Sequence, residues 1–413
     1  MESHKSWKYE NKLLVMLFLA NGLMFFDRLA FNFLAPFFKN EFHLTNLHIG
    51  ALNSALGIAW AISGFLLSGY VDRKAYKKLV LIVAVIVFSL CSIITGLATS
   101  FISLLVARII MGLAEGPVLP TTQALMVIES TKKRIGFNMG FIQAVSAGVF
   151  GQILTPIILI PLAAHYGWRV AFYLAGIPGL LLAIYLWRKL KEPALERYEE
   201  MKSHIQQQVS ETAAVVTSKN NIFNKNVVLC VIIASLMVTA FFSVLIFAPM
   251  HLVEFRSFTP QQMGMFMTAL GVSSVVGGFA MSSLSDKFGR KPVVFTSLFI
   301  VAFAPLVVSF LQGSLAVLSI AIFLTWLGAG CLSILLATIP SESVNGVFAG
   351  RAIAAVVGIS EVLGGCMSPV IAGLMADKIN PAAPFVLGCV VALIGAFLSL
   401  FLTETAPAKI KNI

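Results

Sequence analysis

The sequence predicts an all-α integral membrane protein, with twelve transmembrane helices in two pseudo-symmetric six-helix bundles and both termini cytoplasmic. Three observations predict it. The 413 residues are 58% hydrophobic and only 11% charged, against about 25% charged in a soluble domain. Nearly the whole chain resolves into apolar runs of about 20 residues or more, the helix length that crosses about 30 Å of hydrocarbon. Two pairs of motifs recur at almost one spacing, which marks a duplication.

The runs, in order, are 12–38, 48–71, 79–98, 102–127, 137–163, 169–187, 226–251, 260–284, 292–312, 315–339, 350–375 and 384–403. All are too long and too continuously apolar for the roughly 10-residue alternating strands of a membrane barrel. The first follows a basic start (Lys5, Lys8, Lys12). It also holds Asp27 and Arg28 and exceeds the apolar core of a cleavable signal, so it is expected to stay as helix one. The runs 137–163 and 226–251 contain proline and are expected to kink. In the fourth run Gly112, Gly116 and Pro117 surround Glu115 and predict a loosened helix, suited to close packing or to a moving gate.

A net charge of +11 is one that nucleic acid attracts, but its distribution argues otherwise. Of 29 Lys and Arg, 23 fall in the termini and the even-numbered loops, four in the odd loops (Lys39, Arg169, Arg256, Lys378) and two within runs (Arg28, Arg108). This is the positive-inside bias: the basic excess orients the chain, and no nucleic-acid partner is expected. The five cysteines all lie in apolar runs without a CxxC pair, which reads as packing rather than as a disulfide framework or a metal site. Nothing points to an enzyme. The phosphate-cradling GxxxxGK[ST] is missing, no His/Cys cluster has metal-ligand spacing, and no cofactor is expected.

One long polar interval, 188–225, divides six runs from six, giving an N-terminal bundle (1–187), a cytoplasmic linker (188–225) and a C-terminal bundle (226–413). The linker's first part has the pattern of a short amphipathic surface helix, and its Ser/Thr/Asn-rich remainder that of a flexible tether. "SGYVDRKAYKK" (68–78) follows run two and "SSLSDKFGRKP" (282–292) follows run eight, which sets Asp72 and Asp286 at an offset of 214. "GVFGQILTP" (148–156) and "EVLGGCMSP" (361–369) echo each other at an offset of 213. Parallel repeats of this kind suit a transporter whose halves rock about a site near the bilayer midplane.

Only three of the eighteen acids lie well inside the runs: Asp27, Glu115 and Glu361. Each such charge costs about 2.5–3.5 kcal/mol at the bilayer centre even on lenient scales. Arg108 and Glu115, in "ARIIMGLAEGPVLP" (107–120), are seven residues apart. That spacing is two turns, so both project from one face about 10 Å apart along the axis. Groups like these line the bundle interior, pair with each other or border water. A purely structural pair is replaceable by leucines without loss, so a proton or substrate pathway is the expectation. Glu361, between glycines, suits an ammonium on a zwitterionic substrate, a third proton site, or a protonated acid bonded to a neighbouring helix. Trp60 and Trp326 suit packing or stacking on a substrate. His48 suits an interfacial anchor, and Asn53 on the same face an external vestibule. Glu342 and Arg351 bracket the tenth loop and are expected in a cytoplasmic latch.

The second loop motif resembles the signature of the major facilitator superfamily, small-x-x-x-Asp-Arg/Lys-x-Gly-Arg-Lys/Arg. Asp286, Lys287, Gly289, Arg290 and Lys291 match it. In the first copy Asp72 and Arg73 match, while Ala75 and Tyr76 replace the glycine and the following arginine. The resemblance implies that Asp72, Arg73, Asp286 and Arg290 form a gating latch. The Asp27-Arg28 pair, Arg108-x6-Glu115-Gly116-Pro117 and "GWRVAFYLAG" (167–176) resemble the anion:cation symporter branch, with its bacterial sugar-acid (D-galactonate):proton symporters and sialin-like organic anion carriers. Spinster-like lysolipid carriers share the Asp-Arg and Arg…Glu arrangement.

By this resemblance Asp27 and Glu115 are the proton-coupling carboxylates. Arg28 and Arg108 are their partners and meet the substrate's carboxylate, and Gln143 corresponds to a substrate-binding glutamine. Met24 and Phe25 stand where the branch often has Asn-Tyr, and Glu361 lies outside its pattern as a further substrate-contact candidate. The implied activity is proton-coupled import of a small organic anion by alternating access. The coupling ion is H+, and the protein acts as a monomer in the inner (plasma) membrane. Export of drugs or lysolipids on the same fold is the alternative, and a non-transporting sensor or channel a further one.

Overall fold

The computed structural model of the protein describes residues 2–71, 76–131, 134–192 and 222–410. Among the described residues eleven helices are long and apolar enough to cross a bilayer. They are α1 (Tyr9–Phe38, in a helix that begins at Glu2), α2 (Asn46–Leu66), α3 (Lys77–Gly96), α4 (Phe101–Glu129), α5 (Ile135–Tyr166) and α6 (Trp168–Lys189), then α7 (Lys225–Glu254), α8 (Pro260–Phe288), α9 (Arg290–Ser309), α10 (Leu315–Glu342) and α11 (Ala349–Lys378). A shorter apolar helix, α12 (Ala383–Ser399), completes the twelve expected runs. No β-strand occurs among the described residues.

Local chemistry sets the starts. Ser100 and Ser103 form a reciprocal capping box at α4, Thr259 and Gln262 another at α8, and Ser314 caps α10. Each side-chain oxygen satisfies a backbone N–H that has no partner inside its helix.

Several runs are not uniform α-helix. α4 breaks after Glu115 and resumes at Val118, across Gly116-Pro117, as the sequence predicts. α5 contains π-helical turns at Phe141–Val145 and Ala147–Leu154, α11 one at Glu361–Met367, and α10 a 3₁₀ stretch at Leu327–Cys331 followed by a π turn at Ile334–Thr338. The echoed segments 148–156 and 361–369 therefore share a backbone irregularity as well as a sequence pattern. The proline expected to kink the run 226–251 does not interrupt it: α7 is one α-helix from Lys225 to Glu254. Pro249 sits in its last two turns, where the lost N–H removes a single ladder bond.

By contacts the chain groups into two compact units, Met1–His43 with Ala55–Ile205, and Leu44–Ser54 with Gln206–Ile413. The core of the first joins Leu13, Met16 and Leu17 of α1 to Leu81, Val85 and Phe88 of α3, Met111 of α4, and Leu182 and Leu186 of α6. In the second, α7 packs along α12 and against α11. Within that unit Asp377 receives the backbone N–H of Asn46 at 3.1 Å and of Leu47 at 2.8 Å, closing the first turn of α2 with a carboxylate.

The duplication is visible in helix contacts too tight for a side chain. A Cβ on Gly116 of α4 would lie 1.9 Å from Ser63 Oγ and 2.6 Å from Gly64 N of α2. A Cβ on Gly330 of α10 would lie 2.1 Å from Gly277 O and 2.6 Å from Gly278 N of α8. Both members of the second pair match the first at an offset of 214 (116 to 330, 64 to 278). Likewise a Cβ on Gly151 would sit 3.1 Å from Phe25 Cβ, and one on Gly364 2.8 Å from Val238 Cβ. Here the offset is 213 (151 to 364, 25 to 238). Small residues at these crossings let the backbones approach directly.

Gly278 itself has nothing within 4 Å of where its Cβ would be. Gly330→Ala is therefore expected to destabilise the protein by about 1–3 kcal/mol through overpacking, while Gly278→Ala leaves the melting temperature unchanged. Thermal unfolding of the two purified variants side by side checks this.

Candidate substrate and ion site

Four helices of the first unit bring ionisable groups together. α1 supplies Asp27 and Arg28, α2 Trp60, α3 Cys91 and Ser92, and α4 Arg108, Met111 and Glu115. Asp27, Arg108 and Glu115 are 2%, 1% and 0% exposed. The predicted common face of Arg108 and Glu115 is thus the interior face of α4.

The pairing is loose. Arg28 Nε lies 3.8 Å from Glu115 Oε2, and neither Glu115 oxygen has a hydrogen-bond donor among the described residues. The Arg28 guanidinium also sits 5.5 Å from the Trp60 ring. Arg108 has neutral groups among its contacts. Its Nη1 donates to the Arg28 carbonyl at 3.4 Å and approaches the Met111 sulfur at 3.7 Å, and its guanidinium lies 4.4 Å over the Phe31 ring.

Both Asp27 oxygens are buried without a hydrogen-bond partner among the described residues. The Ser92 hydroxyl stands nearby without completing a bond, and Glu115 is close enough for the two charges to interact. The indole N–H of Trp60 is likewise buried and unpartnered. A cluster with acceptors on two carboxylates and a donor on an indole, all desolvated and unspent, is equipped to bind a proton and an anion.

The remaining sequence-predicted residues lie elsewhere. Gln143 is exposed on a π turn of α5, its Oε1 accepting from Gln123 Nε2 at 3.2 Å. Glu361 belongs to the second unit. It is half-buried at the start of the α11 π turn, with its carboxylate folded over Gly365 beside Phe242 of α7. Asp72 and Arg73 lie outside the described residues. Trp326 packs, stacked on Phe241 at 5.3 Å with its N–H donated to Ser274 Oγ at 2.7 Å. His48 accepts the Thr45 N–H at 3.1 Å at the start of α2. None of the five cysteines forms a disulfide, and no cluster of metal-ligating side chains occurs among the described residues.

The second loop motif is a tight network. Arg290 meets Asp286 at 2.5 Å, Glu342 at 2.8 and 3.1 Å, and Ser285 Oγ at 2.7 Å. The Thr405 hydroxyl donates to Glu342 at 2.7 Å. Arg351 is exposed and lies over the Phe348 ring at 6.0 Å, apart from these bonds.

Glu404, which the sequence reading passed over, accepts the backbone N–H groups of Arg290 at 2.7 Å and Lys291 at 3.2 Å and so caps α9. Gly289 (φ 108°) admits it, because a Cβ there would sit 2.6 Å from its Oε2. In the first unit Glu192 caps α3 in the same way, through Lys77 at 2.7 Å and Lys78 at 2.8 Å. Lys77 and Lys78 match Arg290 and Lys291 at an offset of 213. Tyr76 is therefore the position before the helix rather than a replacement of the arginine, and Lys77, buried like Arg290, occupies that place. An acid a few residues past the ends of α6 and α12 was the available signal.

Glu10 was also missed. It is fully buried in α1, accepts from Asn138 Nδ2 at 2.9 Å and lies 3.7 Å from Arg134. The predicted start of the first run at residue 12 left it outside.

A sequence profile described as Major Facilitator Superfamily matches residues 17–259 and 247–413. The chain belongs to the Major Facilitator Superfamily. It is 33% identical over 199 residues to the hexuronate transporter of Bacillus subtilis (strain 168), covering 46% of this chain and 44% of that one. To the cis,cis-muconate transport protein of Acinetobacter baylyi it is 25% identical over 409 residues, 97% and 95% of the two chains. To the probable L-galactonate transporter of Escherichia coli (strain K12) it is 28% identical over 177 residues, 43% and 38%. The chain thus spans less than half the length of two of these three relatives.

Among solved structures, the D-xylose-proton symporter superposes with a TM-score of 0.75 at 18% identity over 97% and 99% of the chains. A bacterial homolog of the human lysosomal transporter Spinster, inward-facing and occupied, gives 0.74 at 17% over 95% and 97%. At these identities the likeness shows the fold alone. The relatives named here are all transporters, and this superfamily member is a multi-pass membrane protein.

The Glu404 cap carries a pH signature. Burial pushes its carboxyl up, but the N–H groups of Ala406, Arg290, Lys291 and Thr405 outweigh that and hold it below the usual carboxylate value. A carboxyl lowered in the folded state stabilises at pH above its unfolded value, about 4.3, and that stabilisation is lost as pH falls through the folded value. Glu404→Gln is expected to lose about 1–3 kcal/mol at pH 7, and the gap to the parent protein should narrow at pH 4. Melting temperatures at the two pH values measure it.

Proposed function

We propose that this transporter imports a small organic anion, a sugar acid or other carboxylate, together with protons, by alternating access across a bacterial inner (plasma) membrane. The observation that carries the reading is the loose Arg28–Glu115 pair at 3.8 Å beside a carboxylate, Asp27, that has no hydrogen-bond partner among the described residues. The names of the relatives, which are transporters of hexuronate, muconate and galactonate, support an acid as cargo.

In this reading an arriving carboxylate takes the Arg28 guanidinium in planar, bidentate geometry, with the Trp60 N–H as a further donor. Glu115 then loses the nearer of its two cations in a buried site, and a proton neutralises it; Asp27 takes up a proton in the same pocket. Anion and proton bind together because each removes the other's electrostatic penalty. Arg108, tied to the Arg28 carbonyl, steadies the backbone that carries Arg28 and keeps positive charge at the site. Gln143 and Glu361 contact the remainder of the substrate. The coupling ion is H+, with no cofactor. Membrane potential supplies about 2.3 kcal/mol per charge per 100 mV.

The halves 1–187 and 226–413 rock as units joined by 188–225, with both termini cytoplasmic and the protein acting as a monomer. Asp72 with Arg73, and Asp286 with Arg290, latch the cytoplasmic side; the basic loops on that side support the orientation.

In proteoliposomes loaded with a panel of sugar acids, Glu115→Gln and Asp27→Asn are expected to lose pH-gradient-driven accumulation at least tenfold. Exchange of labelled for unlabelled substrate at equal pH should persist in both. Accumulation unchanged in Glu115→Gln overturns the coupling assignment. Efflux of lysolipid or drug with no acid uptake by the parent protein overturns the cargo.

A further inference from the structure

The first unit carries a basic cleft that the transport reading does not use. Where α6 ends, a cleft of about 680 Å³ is lined by Lys12 of α1, Lys78 of α3, and Arg188, Lys189 and Lys191 at the end of α6 and just beyond it. None of these five cations is ion-paired among the described residues. Glu192 is the acid in the lining, and its two oxygens are already taken by the Lys77 and Lys78 backbone N–H groups.

An apolar groove adjoins the cleft. It measures about 540 Å³ and runs between α3 and α6 along Ile82, Ile86, Leu180 and Ile184, ending on Trp187 and Arg188. Arg188 lines both spaces. Trp187 is 61% exposed and has the Lys78 ammonium 5.8 Å from its ring. An exposed tryptophan at a helix end, with cations on one side and aliphatic side chains on the other, marks the level where headgroups meet hydrocarbon.

We propose that this cleft and groove form a binding site for an anionic phospholipid, with its phosphate held by the Lys12–Lys78–Arg188–Lys191 cluster and an acyl chain lying in the groove between α3 and α6. Charge complementarity fixes the class of occupant. Five cations against one committed acid select a phosphate, and zwitterionic headgroups bring their own compensating charge. The groove selects a lipid over a free anion, because beyond Arg188 and Trp187 at its end its lining is aliphatic and offers nothing polar to a soluble ion. Basic pockets between transmembrane helices at one membrane face are a recurrent way of holding such lipids. The assignment concerns α3 and α6 and does not depend on which substrate is carried.

The test uses the full-length chain in detergent, titrated with dioleoyl phosphatidylglycerol or dioleoyl phosphatidylcholine, with retained lipid counted by native mass spectrometry. Phosphatidylglycerol is expected to be retained and phosphatidylcholine lost. The triple substitution Arg188→Gln, Lys189→Gln, Lys191→Gln should weaken retention roughly hundredfold, since each basic group near the membrane surface contributes about fivefold. Lys378→Gln, in another loop, should change nothing. Equal retention of the two lipids, or full retention by the triple variant, overturns the site. Displacement of phosphatidylglycerol by millimolar glycerol phosphate shows a soluble-anion site and overturns the lipid assignment. The comparison of lipids on the unaltered chain decides the matter even where the triple variant does not fold.

Discussion

Opposite charge buried in an apolar bundle is the constraint on which the first unit depends. α1 and α4 each carry an acid and a base where lipid would penalise both, so the two helices must face each other across the interior. The structure answers that demand incompletely. Arg290 meets Glu342 through two bonds of 2.8 and 3.1 Å, with Asp286 and Ser285 filling the rest of its fork. Arg28 meets Glu115 at 3.8 Å with no hydrogen bond made. At low dielectric the attraction still holds the pair in place. Without aligned donors it lacks the directional part that makes the Arg290 network rigid. One set of charges is locked by aligned hydrogen bonds, and the other is not.

The duplication makes this division legible. Packing contacts and carboxylate caps recur in both units at offsets of 212 to 214, but the charges inside the bundle do not. The positions matching Asp27 and Arg28 at 213 are Ala240 and Phe241, and those matching Arg108 and Glu115 at 214 are Ile322 and Ala329. Ala240, Ile322 and Ala329 are buried, and Phe241, which matches Arg28, stacks on Trp326, a residue whose own match at 214 is Gly112 and not Trp60. The two bundles therefore share a solution to close helix packing and differ in chemistry. The repeat conserves what lets backbones touch and frees the interior side chains, confining the cluster of opposed charges to one bundle.

Sequence patterning disclosed the spans because a 20-residue apolar run has few other uses. It disclosed Asp27, Arg28, Arg108 and Glu115 because charge inside such a run is expensive and so stands out. It disclosed Gly116 and Pro117 as a weak point because their backbone effects are local. What it did not disclose depends on partners distant in sequence. Glu404 and Glu192 look like ordinary interfacial acids until the starts of α9 and α3 are placed beside them. Glu10 reads as a flanking residue until Asn138 covers it. Gln143 was taken from a motif correspondence. Its orientation is set by the π turns of α5, which shift every following side chain around the helix and leave no mark in apolar periodicity.

Those irregular turns lie beside the groups whose pairing has to change. Glu115 is the last residue of the first regular segment of α4, directly before Gly116-Pro117. Glu361 opens the π turn of α11, and the echoed turn of α5 packs through Gly151 against Phe25 and Leu29, which flank Asp27 and Arg28. A helix interrupted at one point can swing its two segments through a small angle without breaking the ladder in either. At the same junction the Gly116 backbone is pressed against α2 with no side chain between them, so movement of α2 reaches Glu115 directly. In the proposed transport cycle the irregular backbone and the loose ion pair are parts of one device, in which helix geometry sets whether Arg28 belongs to Glu115 or to an arriving anion.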